Sequence, residues 1–169
     1  MADFLPAFQK VIGEEGGFSD EKHDRGGPTK FGITQRTLAE WWKHLGRDGE
    51  PTRGDVQILT ETEAREIYRT LWWGRYGLGR ITEQTLATKI FDMAVNMGPH
   101  AAFVIAQRAV GAVADGALGP KTIAALALAD PEEALAKMRA LAAERYRKIV
   151  AEDPTQERFL HGWLARAAR

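Results

Sequence analysis

Glu15 and Asp24 stand nine positions apart, with Thr29 beyond them, in a glycine-rich stretch from Glu14 to Thr34 that follows an amphipathic apolar pattern. Paired carboxylates on such a turn region can cleave a glycosidic bond, one protonating the leaving oxygen and the other serving a water or the cationic transition state. The proton donor must stay protonated near neutral pH, which an apolar environment achieves by disfavouring the charged carboxylate. Helical phase separates two candidates for that role. Glu15 lies four residues after Val11 and three after Ile12, on a stripe that faces a core, whereas Glu14 lies four after Lys10 on the polar side. Glu15 is the better acid by this test, although a carboxylate bracing the glycine turn has the same signature. Asp24 can face it with room for a water. An aspartate ahead of Gly26-Gly27 also suits an Asx turn, and Asp20 competes for the same role. Thr29 can position the water through its hydroxyl or serve as an exposed strand residue. Spacing alone leaves these alternatives open.

The elements that must position these groups are helical. Phe4, Phe8, Val11 and Ile12 share a stripe that carries a first helix into Gly16-Gly17. Phe18 to Ile33 has no helical period and reads as turns or a short hairpin. Thr34 caps a second helix with Leu38, Trp41, Trp42 and Leu45 in line and Gly46 as its stop. Arg47 to Leu59 reads as a polar loop. Thr60 with Glu63 is a capping-box signature ahead of Ile67, Tyr68, Leu71 and Trp72. Leu86, Ile90, Met93 and Met97 mark a helix ended by Gly98-Pro99, and Phe103, Ala106 and Val110 mark one running to Gly111. Pro120 opens a helix with Ile123 and Leu126, and Asp130-Pro131 opens a long one through Tyr146. A last helix carries Phe159 and Trp163, which read as core residues. Without a convincing period-two run, the fold class is mainly α.

Composition narrows the function further. With 169 residues and 44% hydrophobic content, one compact domain or two small lobes are expected. The 23 basic and 23 acidic residues balance, so no nucleic-acid partner is implied. From Arg139 onward seven basic residues face four acidic ones, a mildly cationic end that suits a solvated helix face or contact with an outer membrane. There is no cysteine, which excludes a thiol nucleophile, a disulfide framework and a thiolate zinc site. His23, His44, His100 and His161 show no metal-ligand spacing, so no metal and no cofactor are expected. No stretch is long and apolar enough for an integral membrane segment. The start lacks a secretory signal pattern, so the chain is expected to be made in the cytoplasm.

The motif around Glu15 resembles the start of glycoside hydrolase family 108, bacterial and phage muramidases also labelled secretion activators. The matching positions are Glu15, Gly16, Gly17, Asp24, Gly26, Gly27, Thr29, Gly32, Ile33 and Thr34. The resemblance continues through Trp72-Trp73 and Phe91-Asp92 to Asn96-Met97-Gly98. Gln107, Asp115-Gly116, Gly119-Pro120 and Thr122 then resemble a predicted peptidoglycan-binding region, closed by Phe159, Gly162, Trp163 and Arg166. It implies a lysozyme-like helical domain with a short β-hairpin or turn region after the first helix. It also implies Glu15 as the catalytic acid, in agreement with helical phase. Phage lysozymes of glycoside hydrolase family 24 are more loosely similar. They share the interval from Glu15 to Asp24, whereas Thr29 falls one position short of their threonine.

These expectations assign residues 1–90 to a catalytic lysozyme-like region and 91–169 to a peptidoglycan-binding helical region joined to it in one unit. The expected activity is that of an N-acetylmuramidase acting on peptidoglycan glycan strands as a monomer. A lytic transglycosylase giving anhydro products and a non-catalytic glycan-binding secretion accessory are the alternatives. Action on the periplasmic wall would follow release through a phage pore. A cleft for sugars needs flat apolar walls and neutral polar groups. In each tryptophan pair the side chains point about 100° apart on a helix, so one of each is expected in a core. Trp42 and Trp72 take that place, Trp73 and Tyr76 wall the cleft, and Asn96 receives a glycan amide. Asp92, four positions before Asn96, is expected to be a buried polar brace.

Overall fold

The computed structural model describes residues 1–12, 18–19 and 27–169. The fold is mainly α, with a short antiparallel sheet after the first helix, consistent with a lysozyme-like fold. The chain divides into two compact units, Phe4–Tyr76, and Gly77–Arg169 together with Met1–Asp3.

The first unit opens with α1 (Phe4–Ile12), whose Phe4, Ala7, Phe8 and Ile12 are buried at the three- and four-residue steps of one helical face. Three two-residue strands follow in the order β1 (Phe18–Ser19), β2 (Thr29–Lys30), β3 (Ile33–Thr34). β2 and β3 form a two-residue hairpin in which Lys30 pairs with Ile33 and Thr29 with Thr34. Its loop residues Phe31 and Gly32 both have positive φ, 52° and 73°. Such angles give the turn the right-handed twist that matches its strands, and Gly32 adopts them without a Cβ penalty. Two other elements hold the hairpin. The Tyr68 hydroxyl donates to the Phe31 carbonyl at 3.1 Å, and Lys30 Nζ donates to the Gln57 carbonyl at 2.8 Å.

α2 (Gln35–His44) begins where the Thr34 side chain accepts from the Thr37 amide at 3.1 Å. It ends in a Schellman motif: the Gly46 amide bonds to Lys43 O at 3.1 Å and the Arg47 amide to Trp42 O at 2.9 Å. The Arg47 guanidinium lies 3.8 Å from the centre of the buried Trp42 ring, completing the side-chain contact of that motif. The polar segment after it is not all loop. α3 (Arg53–Ile58) forms there because Thr52 and Asp55 make a reciprocal capping box. Their carboxylate–threonine bond also holds Asp55 below the usual aspartate range. α4 (Glu61–Tyr68) has the expected box of Thr60 and Glu63 and buries Ala64, Ile67 and Tyr68. It runs directly into a π-helical turn, Arg69–Gly74.

In the second unit α5 (Gln84–Met97), α6 (Pro99–Ala109) and α8 (Pro131–Glu152) pack on one another, and α9 (Glu157–Ala168) lies along α8. α7 (Pro120–Leu128) starts at the expected proline. Gly98 separates α5 from α6 at φ 88°, and Asp130 caps α8 by accepting from the Glu133 amide at 2.8 Å. Leu86, Ile90, Phe91, Met93, Phe103 and Met138 form much of this core. Phe159 and Trp163, read from sequence as core, are only half-buried. Trp163 stacks between two rings instead, 5.2 Å from Tyr146 and 5.7 Å from Phe159.

Residues Met1–Asp3 belong to this second unit by hydrogen bonds. The Ala2 amide donates to Ile81 O at 2.7 Å, and the Gln84 side chain bonds both the amide and the carbonyl of Asp3. No helix among the described residues is long and apolar enough to cross a membrane.

Candidate functional site

Glu15 and Asp24, with Glu14, Asp20 and His23, lie outside the described residues. Their framework is α1 on one side in sequence and the β2–β3 hairpin on the other. α1 leads toward Glu15 with a face buried as far as Ile12, and the hairpin that follows Asp24 is pinned through Phe31 and Lys30. Thr29 is half-buried on β2, opposite Thr34 in the hairpin register. The Thr34 hydroxyl is engaged in capping and lies 3.1 Å from that of Thr37. Of the two paired threonines, Thr29 is therefore the one not committed to a helix cap.

The tryptophan expectations divide. Trp42 is buried, as expected, whereas Trp72 and Trp73 exchange the fates read from an ideal α-helix. Trp73 is 8% exposed and meets Phe4 edge-on at 5.7 Å, so it is part of the core and not a cleft wall. Trp72 is half-buried, its ring 5.2 Å from that of Tyr68. The cause is the π turn. Hydrogen bonds there close from residue i+5, as from the Arg75 amide to Thr70 O at 3.2 Å, so the position below Tyr68 on the inner face falls to Trp73 instead of Trp72. Gly74 suits this widened turn, since a Cβ there would meet Arg69 O at 3.1 Å. Tyr76, just past the turn, is half-buried.

A groove of about 510 Å³ opens beside this turn, lined by Glu40, Lys43, His44, Thr70, Leu71 and Arg75. Arg75 Nη1 donates to Glu40 Oε1, which raises the guanidinium pKa, and both side chains are half exposed. Trp41 stacks on His44 with centroids 5.4 Å apart and planes 18° from parallel. Sequence reasoning missed this groove. Its signal was faint, the polar residues at Glu40, Lys43 and His44 on one turn of α2, and its completion by Arg75 depends on a second element.

In the second unit Asn96 is exposed at the end of α5, and its Oδ1 accepts from the Tyr146 hydroxyl. Burial pushes Tyr146 up to about 12. Asp92 is the expected brace: Arg166 Nε donates to it at 2.9 Å and Lys89 Nζ lies 3.8 Å away. Lys89 is 5% exposed and donates to Arg166 O and Ala167 O, closing the end of α9; burial lowers its pKa, with Asp92 opposing the shift.

The segment 107–122 is organised around Gln107, which is wholly buried. Its amide donates to Asp115 Oδ1 at 2.6 Å, Ala117 O at 3.0 Å and Thr122 Oγ1 at 3.0 Å, while its oxygen accepts from the Gly116 amide at 2.8 Å. Wholly buried and bonded in this way, Gln107 folds the turn and presents no surface to a sugar. Among the described residues no group of three or more His, Asp or Glu side chains could hold a metal.

Two family descriptions match the chain. Residues 8–98 match glycosyl hydrolase 108, and residues 101–168 match a predicted peptidoglycan domain. The chain belongs to the glycosyl hydrolase 108 family, and its class is that of a glycosidase acting on peptidoglycan. Among solved structures it is similar to SagA of Brucella abortus, at 30% identity and a TM-score of 0.82, over 98% of this chain and 90% of that one. No curated protein matches the chain.

Proposed function

We propose that the protein is an N-acetylmuramidase that hydrolyses the β-1,4 bond between N-acetylmuramic acid and N-acetylglucosamine. The observation that carries this reading is the glycosyl hydrolase 108 match over residues 8–98, which spans Glu15, Asp24 and Thr29 together. Glu15 protonates the leaving glycosidic oxygen, a role supported by its spacing in sequence from the apolar Val11 and Ile12. Asp24 orients the attacking water or stabilises the oxocarbenium-like state, and Thr29 holds that water through its hydroxyl. Tyr76 and the accessible edge of Trp72 supply apolar surface for sugar rings, while Asn96 offers its amide to an acetamido group.

Mass analysis of products released from purified sacculi tests the reaction type. Muropeptides that carry one added water at a reducing end support hydrolysis. Anhydro ends would instead make the protein a lytic transglycosylase, and binding to sacculi without new ends would make it a glycan-binding accessory. With this substrate the protein acts at the cell wall, reached through a pore that another protein supplies. Lysis on co-expression with a pore-former, and none without it, is the expected outcome for that route.

A further inference from the structure

We propose that the groove between α2 and the π turn binds the peptide stem of peptidoglycan, with Arg75 and Lys43 taking a stem carboxylate and Glu40 taking a free stem amine. This rests on peptidoglycan being the partner, and it assigns a second component of that polymer to a second place on the protein.

The chemistry of the lining makes the choice. Sugar subsites are built from aromatic faces and neutral donors and acceptors. Among the described residues this groove has four titratable side chains, Glu40, Lys43, His44 and Arg75, with Thr70 and Leu71 beside them. Charges of both signs in one cavity fit a ligand that carries both signs itself. The glycan strand has no ammonium group, whereas an uncrosslinked stem has carboxylates and the free amine of its diamino acid.

The Glu40–Arg75 pair is no obstacle, because its side chains are 51% and 53% exposed and solvent already competes for them. A ligand with one carboxylate and one amine can replace each partner by its own group and leave neither charge unmatched. Geometry supports a preformed site. Trp41 fixes the His44 ring by stacking, and the π turn, through the Arg75 amide bond to Thr70 O, sets the point from which Arg75 projects. Leu71, which is buried, gives the groove an apolar floor for the methylene chain of a diamino acid.

NMR titration of the full chain with the synthetic stem tripeptide, L-alanine, γ-linked D-glutamate and meso-diaminopimelate, tests this without needing turnover. Saturable shifts at the Trp41 indole and His44 imidazole are expected, weakened about tenfold or more by either Glu40→Gln or Arg75→Gln. Lys43→Ala is expected to weaken them too, and all three variants alter exposed side chains, so unchanged thermal unfolding certifies their fold. Absence of saturable shifts overturns the proposal, as do shifts indifferent to all three substitutions. A stem-free glycan tetrasaccharide that shifts these resonances while the tripeptide does not also overturns it, making the groove a sugar subsite. Tripeptide binding by a protein without muramidase activity would keep this inference and sink the catalytic one; activity without tripeptide binding would do the reverse.

Discussion

Trp72 and Trp73 are adjacent in sequence, yet one is half-buried and the other packs against Phe4 in the core. Burial on that scale makes Trp73→Ala cost about 3–5 kcal/mol by leaving a cavity, measurable as a lower urea midpoint with unchanged slope. Trp72→Ala is expected to cost clearly less, and equal losses would contradict the assignment. Tyr146 gives a pH-dependent test. Its folded pKa is raised from 10.0 to about 12 by desolvation, so the neutral phenol favours folding. That contribution is complete below pH 10 and is lost as pH rises through about 12. Urea unfolding between pH 9 and 11.5 should therefore show a steeper alkaline loss for the wild type than for Tyr146→Phe, and parallel curves would contradict it. Among single residues the sequence was informative where one helix decides the outcome, as with the burial of Trp42. It misled at Trp72 and Trp73 because their phase depends on a hydrogen-bond pattern that no residue type announces.

The hairpin of β2 and β3 is the element with the tightest geometric demand. At Gly32 the backbone has φ 73°, and a Cβ would lie 2.7 Å from the Tyr68 hydroxyl oxygen. Gly32→Ala should destabilise by about 1–3 kcal/mol from the left-handed backbone alone. In the background of Tyr68→Phe the same change should cost less, because the hydroxyl it strikes is gone. A double-mutant cycle by urea unfolding reads this coupling, and strict additivity would argue against the contact. Elements with local start and stop signals were legible: Thr34 and Gly46 bound α2, Thr60 and Glu63 start α4, Pro120 and Asp130 open two more helices. α3 was not, because it is only six residues long and its box uses Asp55 where a longer glutamate is the familiar signal. The charged groove was invisible for a different reason. Glu40 and Arg75 are 35 positions apart, and only tertiary packing unites them.

On the scale of the whole molecule, family boundaries and packing boundaries divide the chain differently. The hydrolase match runs through residue 98 and includes α5, yet α5 packs within the unit that begins at Gly77, against α6 and α8. A fragment ending at residue 98 is thus expected to lose the packing of Leu86, Ile90, Phe91 and Met93, to bind a hydrophobic dye and to show low helicity for α5. A fragment with native helicity and no dye binding would contradict that view of the second unit. Helical periodicity carried the mainly α class and the motifs carried the family, but neither fixed where one packed unit ends. The central claim is catalysis by Glu15, and paired substitutions test it most directly. Reducing ends released from purified sacculi should fall by about 100-fold or more for Glu15→Gln, with thermal unfolding and sacculus binding preserved, while Glu14→Gln keeps near wild-type release. Undiminished release by Glu15→Gln, or loss confined to Glu14→Gln, would contradict the account.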